Sequence, residues 1–164
     1  MIYLGIIAVA VVPDLILKSA IERLPDESFP RELPGSGGRL QLRKLHNMGF
    51  LMGFLRQYPE LVRGLPLAVA SVILLRFSLR LPCKGSRLEK AGLAAVLGGA
   101  ASNLFDRFFR GYVVDYLYVD VRPLNKIIFN IGDLFIALGM LLSGAAGLLR
   151  TVQGMRGGLN RGRS

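Results

Sequence analysis

The sequence predicts an all-α integral membrane protein, a four-transmembrane-helix bundle with a small extracytoplasmic β-structure. Three observations predict this fold. Of the 164 residues, 52% are hydrophobic. The apolar residues form long blocks, whereas a soluble domain keeps them to one face of each element. Basic residues crowd just beyond two of these blocks, as the positive-inside rule expects of cytoplasmic segments.

Four apolar blocks approach the roughly 20 residues that a helix needs to cross a bilayer. The predicted spans are residues 2–20, 61–79, 88–105 and 127–149. The third span contains few bulky apolar side chains and many small residues. The first has no basic leading region and is interrupted by Pro13 and Asp14, so we expect a retained helix and not a cleavable signal peptide. Residues 1–153 would form the membrane domain, followed by a basic, disordered tail over residues 154–164.

Charge predicts the orientation of these spans. The formal net charge is +10, and two clusters carry much of it: Arg76, Arg80, Lys84, Arg87 and Lys90 in one, and Arg150, Arg156, Arg161 and Arg163 in the other. Placing both clusters in the cytoplasm puts both termini there, with residues 21–60 and 106–126 outside. No recognition motif or aromatic platform accompanies the charge, so nucleic-acid binding is not expected.

The outer segments contain two runs with partial alternation and β-branched or aromatic residues. Leu40–Leu45 and Val113–Val119 are therefore predicted as short strands. The single cysteine, Cys83, excludes an intramolecular disulfide. The single histidine, His46, excludes a multi-histidine metal site.

Several polar residues lie where membrane spans exclude charge, since a central Asp costs about 2.5–3.5 kcal/mol on insertion scales. They fall at helical spacings near one outer boundary: Asp14 with Lys18, Asn103 with Asp106 and Arg107, and Asn130 with Asp133. Asp14 with Lys18 fits an intrahelical ion pair equally well. Asp106 with Arg107 fits an interfacial cap equally well. Asp133 has no basic residue within one turn, so its carboxylate needs a proton or a partner, and Asp115 is placed to lie opposite it.

Two carboxylates held close together can share one proton, because both cannot ionise cheaply. The ionised carboxylate then accepts a proton from water, and the protonated one donates a hydrogen bond to the carbonyl under attack. Such a pair titrates as a unit. No cysteine–histidine pair, phosphate-binding loop or zinc-ligand spacing offers another hydrolytic mechanism.

These motifs resemble the signature blocks of bacterial lipoprotein signal peptidase, or signal peptidase II. Five blocks occur in family order and cover most of the chain: Asp14 to Lys18, His46 to Phe50, Gly98 to Arg107, Gly111 to Asp115, and Phe129 to Asp133. Each block alone is weak, and the five together are specific. The resemblance implies four membrane helices, a small β-cradle and a mobile outer segment over the site.

The resemblance also implies an activity and a set of roles. Members of the family cut the signal peptide from diacylglyceryl-modified prolipoproteins before the lipidated cysteine, without metal or cofactor. Asp115 and Asp133 would be the catalytic pair. The remaining matched residues would orient the pair or position the substrate: Asp14, Lys18, Asn47, Asn103, Asp106, Arg107 and Asn130. The expected setting is a monomer in the bacterial inner membrane, surrounded by lipid, with its active site near the outer face.

The chain departs from the family blocks at Phe50, Ser102 and Gly132, which raises the alternative of a divergent paralogue. A non-catalytic relative that binds lipidated or membrane peptides is a second hypothesis, and only activity separates it from the enzyme. A transporter that relays protons through its carboxylates is a third. That hypothesis requires polar residues through the full membrane depth, whereas here they gather on one side.

Overall fold

The computed structural model describes residues 1–49, 57–120 and 127–161. Within these ranges the chain forms four long helices, four short strands and two helical turns. The helices are α1 (Ile2–Arg23), α2 (Pro59–Arg80), α3 (Arg87–Phe105) and α4 (Ile131–Arg161). The strands are β1 (Arg31–Glu32), β2 (Leu40–Asn47), β3 (Val113–Val119) and β4 (Ile127–Phe129). A 3-10 turn covers Asp26–Ser28, and a π-helical turn, Asp106–Arg110, continues α3.

Helix α3 is the central element and packs against the other three helices. Glycines allow the closest of these approaches. A methyl group on Gly98 would lie 2.6 Å from the Cβ of Ala10 in α1, and one on Gly99 would lie 2.2 Å from the carbonyl oxygen of Gly132 in α4. Small residues therefore bring the backbones of α1 and α4 directly onto α3, as interfaces between membrane helices require.

Three of the four helices, α1, α2 and α4 as far as Gln153, are long and apolar enough to cross a membrane. Helix α3 begins with Arg87, Glu89 and Lys90 and is otherwise rich in glycine and alanine. Because its neighbours cover it, α3 does not need bulky apolar side chains facing lipid. The predicted mostly helical fold with four long helices is confirmed, and the predicted bounds of the first three lie within three residues of those observed.

The four strands form one antiparallel sheet in the order β1-β2-β3-β4. Both predicted strands are present, as β2 and β3. The register pairs Leu45 with Asp115 and Asn47 with Val113, after an irregularity between Leu42 and Leu45. The sheet packs on α1 through a small core in which Val114 and Tyr116 contact Ile21. This register places Asn47 beside Asp115.

The predicted start of the fourth helix was wrong, and so was the predicted disorder of the tail. Ile127–Phe129 pair with β3, and the helix begins only at Ile131. Asn130 stops the helix from starting earlier, because its Oδ1 accepts a hydrogen bond from the Asp133 N–H at 2.9 Å, as a helix N-cap does. At the other end α4 continues to Arg161. The tail predicted to be disordered from residue 154 is helical as far as Arg161, since extending an existing helix adds one hydrogen bond for each residue that is ordered.

Candidate active site

Asp115 lies in β3, an interior strand of the sheet, and is only 4% exposed. Each of its carboxylate oxygens accepts a hydrogen bond from a different amide. Asn47 Nδ2 donates to Oδ2 at 3.0 Å, and Asn130 Nδ2 donates to Oδ1 at 2.8 Å. A strand on one side and the start of α4 on the other therefore fix the orientation of this carboxyl group.

Asp133 lies in the first turn of α4 and is partly exposed. Its Oδ1 accepts a hydrogen bond from Asn103 Nδ2 at 2.8 Å, and its Oδ2 accepts one from the Asn130 backbone N–H at 3.2 Å. Because Asn130 Oδ1 accepts in turn from the Asp133 N–H, the two residues form a reciprocal capping box. The Asp133 side chain thus both closes the helix start and faces the site.

Asn130 is the residue that joins the two carboxylates. It is fully buried, its side-chain amide donates to Asp115, and its backbone amide donates to Asp133. One residue thereby fixes the position of β3 relative to α4. The structure brings together Asp115 and Asp133, which sequence reasoning placed opposite each other.

The electrostatics of the site favour a proton on this pair. Burial raises the pKa of Asp115 from its usual 3.8 to about 6, against the lowering effect of the Asn47 hydrogen bond, and the charge of Asp133 adds to the rise. The buried Arg107 lies in the field of the same carboxylates. Burial lowers its pKa, whereas the charges of Asp115, Asp133 and Asp106 oppose that change.

Beneath the pair, Lys18 links α1 to the site. Lys18 and both carboxylates that it contacts have fully buried side chains. Its Nζ lies 2.9 Å from Asp14 Oδ2 and 3.2 Å from Asp106 Oδ2. It also donates to Asn103 Oδ1 at 2.8 Å. Since Asn103 donates in turn to Asp133, the ammonium group is connected to the pair through one amide.

The contacts of Asp14 and Asp106 distinguish between the alternative interpretations of these residues. Asp14 with Lys18 is an intrahelical pair, but it is not isolated, because Lys18 also contacts Asp106 across helices. Asp106 does act as a cap: its Oδ2 accepts a hydrogen bond from the Val114 N–H at 3.0 Å, and its Oδ1 pairs with Arg110. It therefore fixes the backbone of β3 one residue before Asp115. This geometry fits an orienting residue.

Sequence reasoning missed three members of this network. Arg110 donates to Ser19 as well as to Asp106. Ser102, noted only as a departure from the family blocks, donates to Asp14 Oδ2 at 2.6 Å. Tyr116 is buried, donates to Asp14 Oδ1 at 2.8 Å and accepts from the Ile131 N–H at 3.3 Å. Buried residues follow one another through β3 from Val113 to Tyr116, and this loss of strand alternation is the signal that Tyr116 faces protein.

The other two departures from the family blocks have different outcomes. A methyl group on Gly132 would lie 3.0 Å from Asn130 Oδ1 and from Asp14 Oδ2, so the glycine leaves space between the two polar groups. Phe50 lies outside the described residues. Within the described ranges, no group of three or more histidine, cysteine or acidic side chains is arranged to hold a metal ion.

Comparison with known proteins gives one consistent result. A family model for signal peptidase (SPase) II matches residues 6–149. The lipoprotein signal peptidase of a Sulfurihydrogenibium species is 33% identical over 144 residues, which cover 85% of this chain and 86% of that protein. The lipoprotein signal peptidase of Caldicellulosiruptor bescii is 34% identical over 143 residues, 87% of each chain.

The fold also matches solved structures. Two structures of bacterial membrane enzymes, determined by the in meso method, superpose with TM-scores of 0.76 and 0.72. Both are 21% identical to this chain. The first match covers 91% of this chain and 88% of the other, and the second covers 89% and 92%.

Proposed function

Because the chain belongs to the signal peptidase II family, we propose that it is an aspartic endopeptidase that removes signal peptides from prolipoproteins. Its substrates are precursors modified with diacylglycerol, and it cuts on the amino side of the lipidated cysteine. One observation carries the aspartic assignment: Asn130 donates hydrogen bonds to both Asp115 and Asp133. The two carboxyl groups are thereby held as one unit at the end of α3.

The reaction uses one proton shared by the pair. The ionised carboxylate accepts a proton from a water molecule, whose oxygen attacks the scissile carbonyl carbon. The protonated carboxyl donates a hydrogen bond to the carbonyl oxygen, which gains negative charge as the tetrahedral species forms. When that species collapses, the C–N bond breaks and a proton passes to the leaving nitrogen. The raised pKa of Asp115 supports the presence of the shared proton.

The remaining residues divide into two groups by their contacts. Asn47, Asn103 and Asn130 donate to the carboxylates, and the charge of Arg107 acts on both of them. We assign to these four the orientation of the pair and the positioning of the peptide backbone. Asp14, Lys18 and Asp106 lie one layer below and hold α1, α3 and β3 together. We assign to these three the support of the site.

The setting that we infer is a monomer in the bacterial inner membrane, with four transmembrane helices and membrane lipid around them. Three helices are apolar enough to span, and α3 is enclosed among them. The carboxylates lie at one end of α3 and the basic cluster at the other. The positive-inside rule then supports cytoplasmic termini and an active site near the outer face, with the sheet as its β-cradle.

The deciding experiment is cleavage of a diacylglyceryl-modified lipobox peptide by the purified full-length protein. Asp115→Asn and Asp133→Asn should each lower kcat by about 10²–10⁴-fold or more, because each removes a proton-transfer group. Asp120→Asn is the matched control, since Asp120 follows the same strand but is exposed. Unchanged turnover in either site variant would overturn the assignment. Peptide binding without cleavage by the wild-type protein would instead support the non-catalytic relative.

A further inference from the structure

A second buried charge lies about 20 Å from the carboxylate pair, at the opposite end of α3, as the helical rise over residues 89–103 gives. Glu89 is fully buried, and arginines from two other helices surround it. Arg76 Nη2 lies 2.9 Å from Oε1, and Arg80 Nε lies 3.5 Å from the same oxygen. Arg150 of α4 pairs with Oε2. We call Glu89 and these three arginines the Glu89 cluster.

The Glu89 cluster has an excess of positive charge. One carboxylate faces three guanidinium groups, and Glu89 is the only acidic residue between Leu61 and Phe105 in the sequence. No acidic residue follows Asp133 either. Each guanidinium has five N–H donors, more than a single shared carboxylate can accept. The side chains of Arg76, Arg80 and Arg150 are 55%, 37% and 38% exposed, so they remain accessible to an anion.

Glu89 also gives these arginines a defined arrangement. A free arginine side chain loses conformational entropy when it binds an anion. Here the carboxylate already holds three guanidinium groups from α2 and α4 at one point on α3. Lys90 does not share in this arrangement, because its Nζ donates to the carbonyl oxygens of Leu81 and Cys83, at 3.0 and 2.6 Å, where it caps the end of α2. The cluster is therefore a preorganised cationic site.

An open groove of about 440 Å³ along α2 includes two of the same arginines in its lining. Its lining is mostly apolar and includes Val72, Leu75 and Leu79, with Arg76 and Arg80 beside them. The two arginines thus belong both to the groove and to the Glu89 cluster. An apolar groove that also carries excess positive charge, on a helix long and apolar enough to cross a membrane, is complementary to a molecule with an acyl chain and an anionic head.

We propose that the Glu89 cluster binds an anionic phospholipid. The phosphate accepts hydrogen bonds from the guanidinium groups of Arg76 and Arg80, which suit it because their N–H donors are paired and planar. An acyl chain lies along the Val72–Leu79 face of α2. Basic pockets between membrane helices are known to select anionic headgroups in this way. This site is separate from the carboxylate pair and does not depend on the proposed peptidase activity.

The test compares lipid retention by the full-length protein in nanodiscs and after extraction into detergent. Wild-type protein should retain phosphatidylglycerol in preference to phosphatidylcholine, as measured by native mass spectrometry. Arg80→Gln should lower that preference by about fivefold, the order expected for one basic residue near an anionic surface. Arg80 is chosen because it lies farther from the Glu89 carboxylate than Arg76 and Arg150 do, so its loss disturbs the fold least.

Arg63→Gln is the matched control, the same change at the exposed, opposite end of α2. Its preference for phosphatidylglycerol should equal that of the wild type. An equal loss in both variants would indicate diffuse attraction to a basic chain and overturn the site. Wild-type retention of both lipids to the same extent would overturn it without any variant. Equal binding of glycerol phosphate, which has the headgroup charge but no acyl chain, would also overturn the phospholipid assignment.

Discussion

The two ends of α3 both bury charge, but with opposite excess. At the end that carries Ser102, carboxylates outnumber cations: Asp14, Asp106, Asp115 and Asp133 against Lys18, Arg107 and Arg110. At the other end, three guanidinium groups surround the single carboxylate of Glu89. The acidic end is largely closed to solvent, whereas the arginines at the basic end are exposed by a third or more.

The two ends of α3 compensate their excess charge in different ways. A buried acidic excess is relieved by binding a proton, because desolvation penalises the ionised form. That proton is available for chemistry. An exposed basic excess is relieved by attracting counter-charge from outside, as in a membrane with anionic headgroups. The first arrangement suits a reaction, and the second suits a contact with lipid.

Removing one cation from each end of α3 should change stability most, and by different amounts at the two ends. Lys18→Met should lower the free energy of unfolding by about 3–5 kcal/mol, because it leaves Asp14 and Asp106 buried without their shared ammonium. Arg76→Met should lower it by about 1 kcal/mol or less, since Arg80 and Arg150 remain on Glu89. Thermal unfolding in detergent measures both. Equal losses would show that the two clusters do not differ in this respect.

A second prediction concerns the pH dependence of stability at the acidic end of α3. The folded pKa of Asp115, about 6, lies above its usual 3.8. As pH rises between these values, the unfolded chain loses its proton before the folded protein does, so this residue's contribution makes folding less stable. The penalty is complete above about pH 6 and reaches at most about 3 kcal/mol. Thermal unfolding midpoints at a series of pH values would show the decline.

The quantity to compare between variants is the slope of stability against pH, not the stability at one pH. Asp115→Asn cannot titrate and should flatten the slope between about pH 4 and 6. Asp120→Asn, exposed at the end of the same strand, should leave the slope unchanged. An unaltered slope in Asp115→Asn would mean that other groups carry the pH dependence.

A smaller effect is expected from Tyr116, which connects Asp14 in the supporting layer to the first turn of α4. Burial and the adjacent Asp14 raise the pKa of Tyr116 above its usual value, so its hydroxyl remains protonated and donates to Asp14. Tyr116→Phe removes that donor and the acceptor for the Ile131 N–H, which should cost about 1–2 kcal/mol of stability. Because the first turn of α4 loses an anchor, kcat should fall by up to about tenfold with KM unchanged.

Tyr118→Phe is the comparison variant for Tyr116→Phe. Tyr118 lies two residues along β3, and the centre of its ring is 3.6 Å from the Arg43 guanidinium carbon, a contact that the phenylalanine ring retains. Stability and kcat close to the wild type are expected. A similar loss in both variants would attribute the effect to the strand in general and not to the Tyr116 hydroxyl.

The helices were predictable because the length of each apolar block can be measured in the sequence. The first three helices begin and end within three residues of the predicted positions. The start of α4 was not predicted correctly, because a short apolar run such as Ile127–Phe129 is compatible with either a strand or a helix. The spacing of Asn130 and Asp133 contained the missing signal, since a polar residue followed three positions later by an acidic residue marks a helix start. Strand β1 has two residues, too few to show alternation.

For the candidate site, the sequence predicted which residues would lie together better than it predicted their contacts. All nine named side chains lie at one end of α3, in contact with the pair or one layer below it. Helical spacing identified Asp14 with Lys18, but it could not reveal that Lys18 also reaches Asp106 on another helix. Long-range partners depend on packing, which no local pattern encodes. For the same reason the roles of Ser102, Tyr116 and Arg110 emerged only from the folded chain.

The capping box of Asn130 and Asp133 has a consequence for assembly. The same hydrogen bonds that start α4 also align Asp133, and the Asn130 amide reaches Asp115 only when β3 is in place. Fraying of a single helical turn would therefore separate the two carboxyl groups. A chain that has inserted only its first helices contains no such pair, so the two carboxyl groups come together only once the last helix has docked.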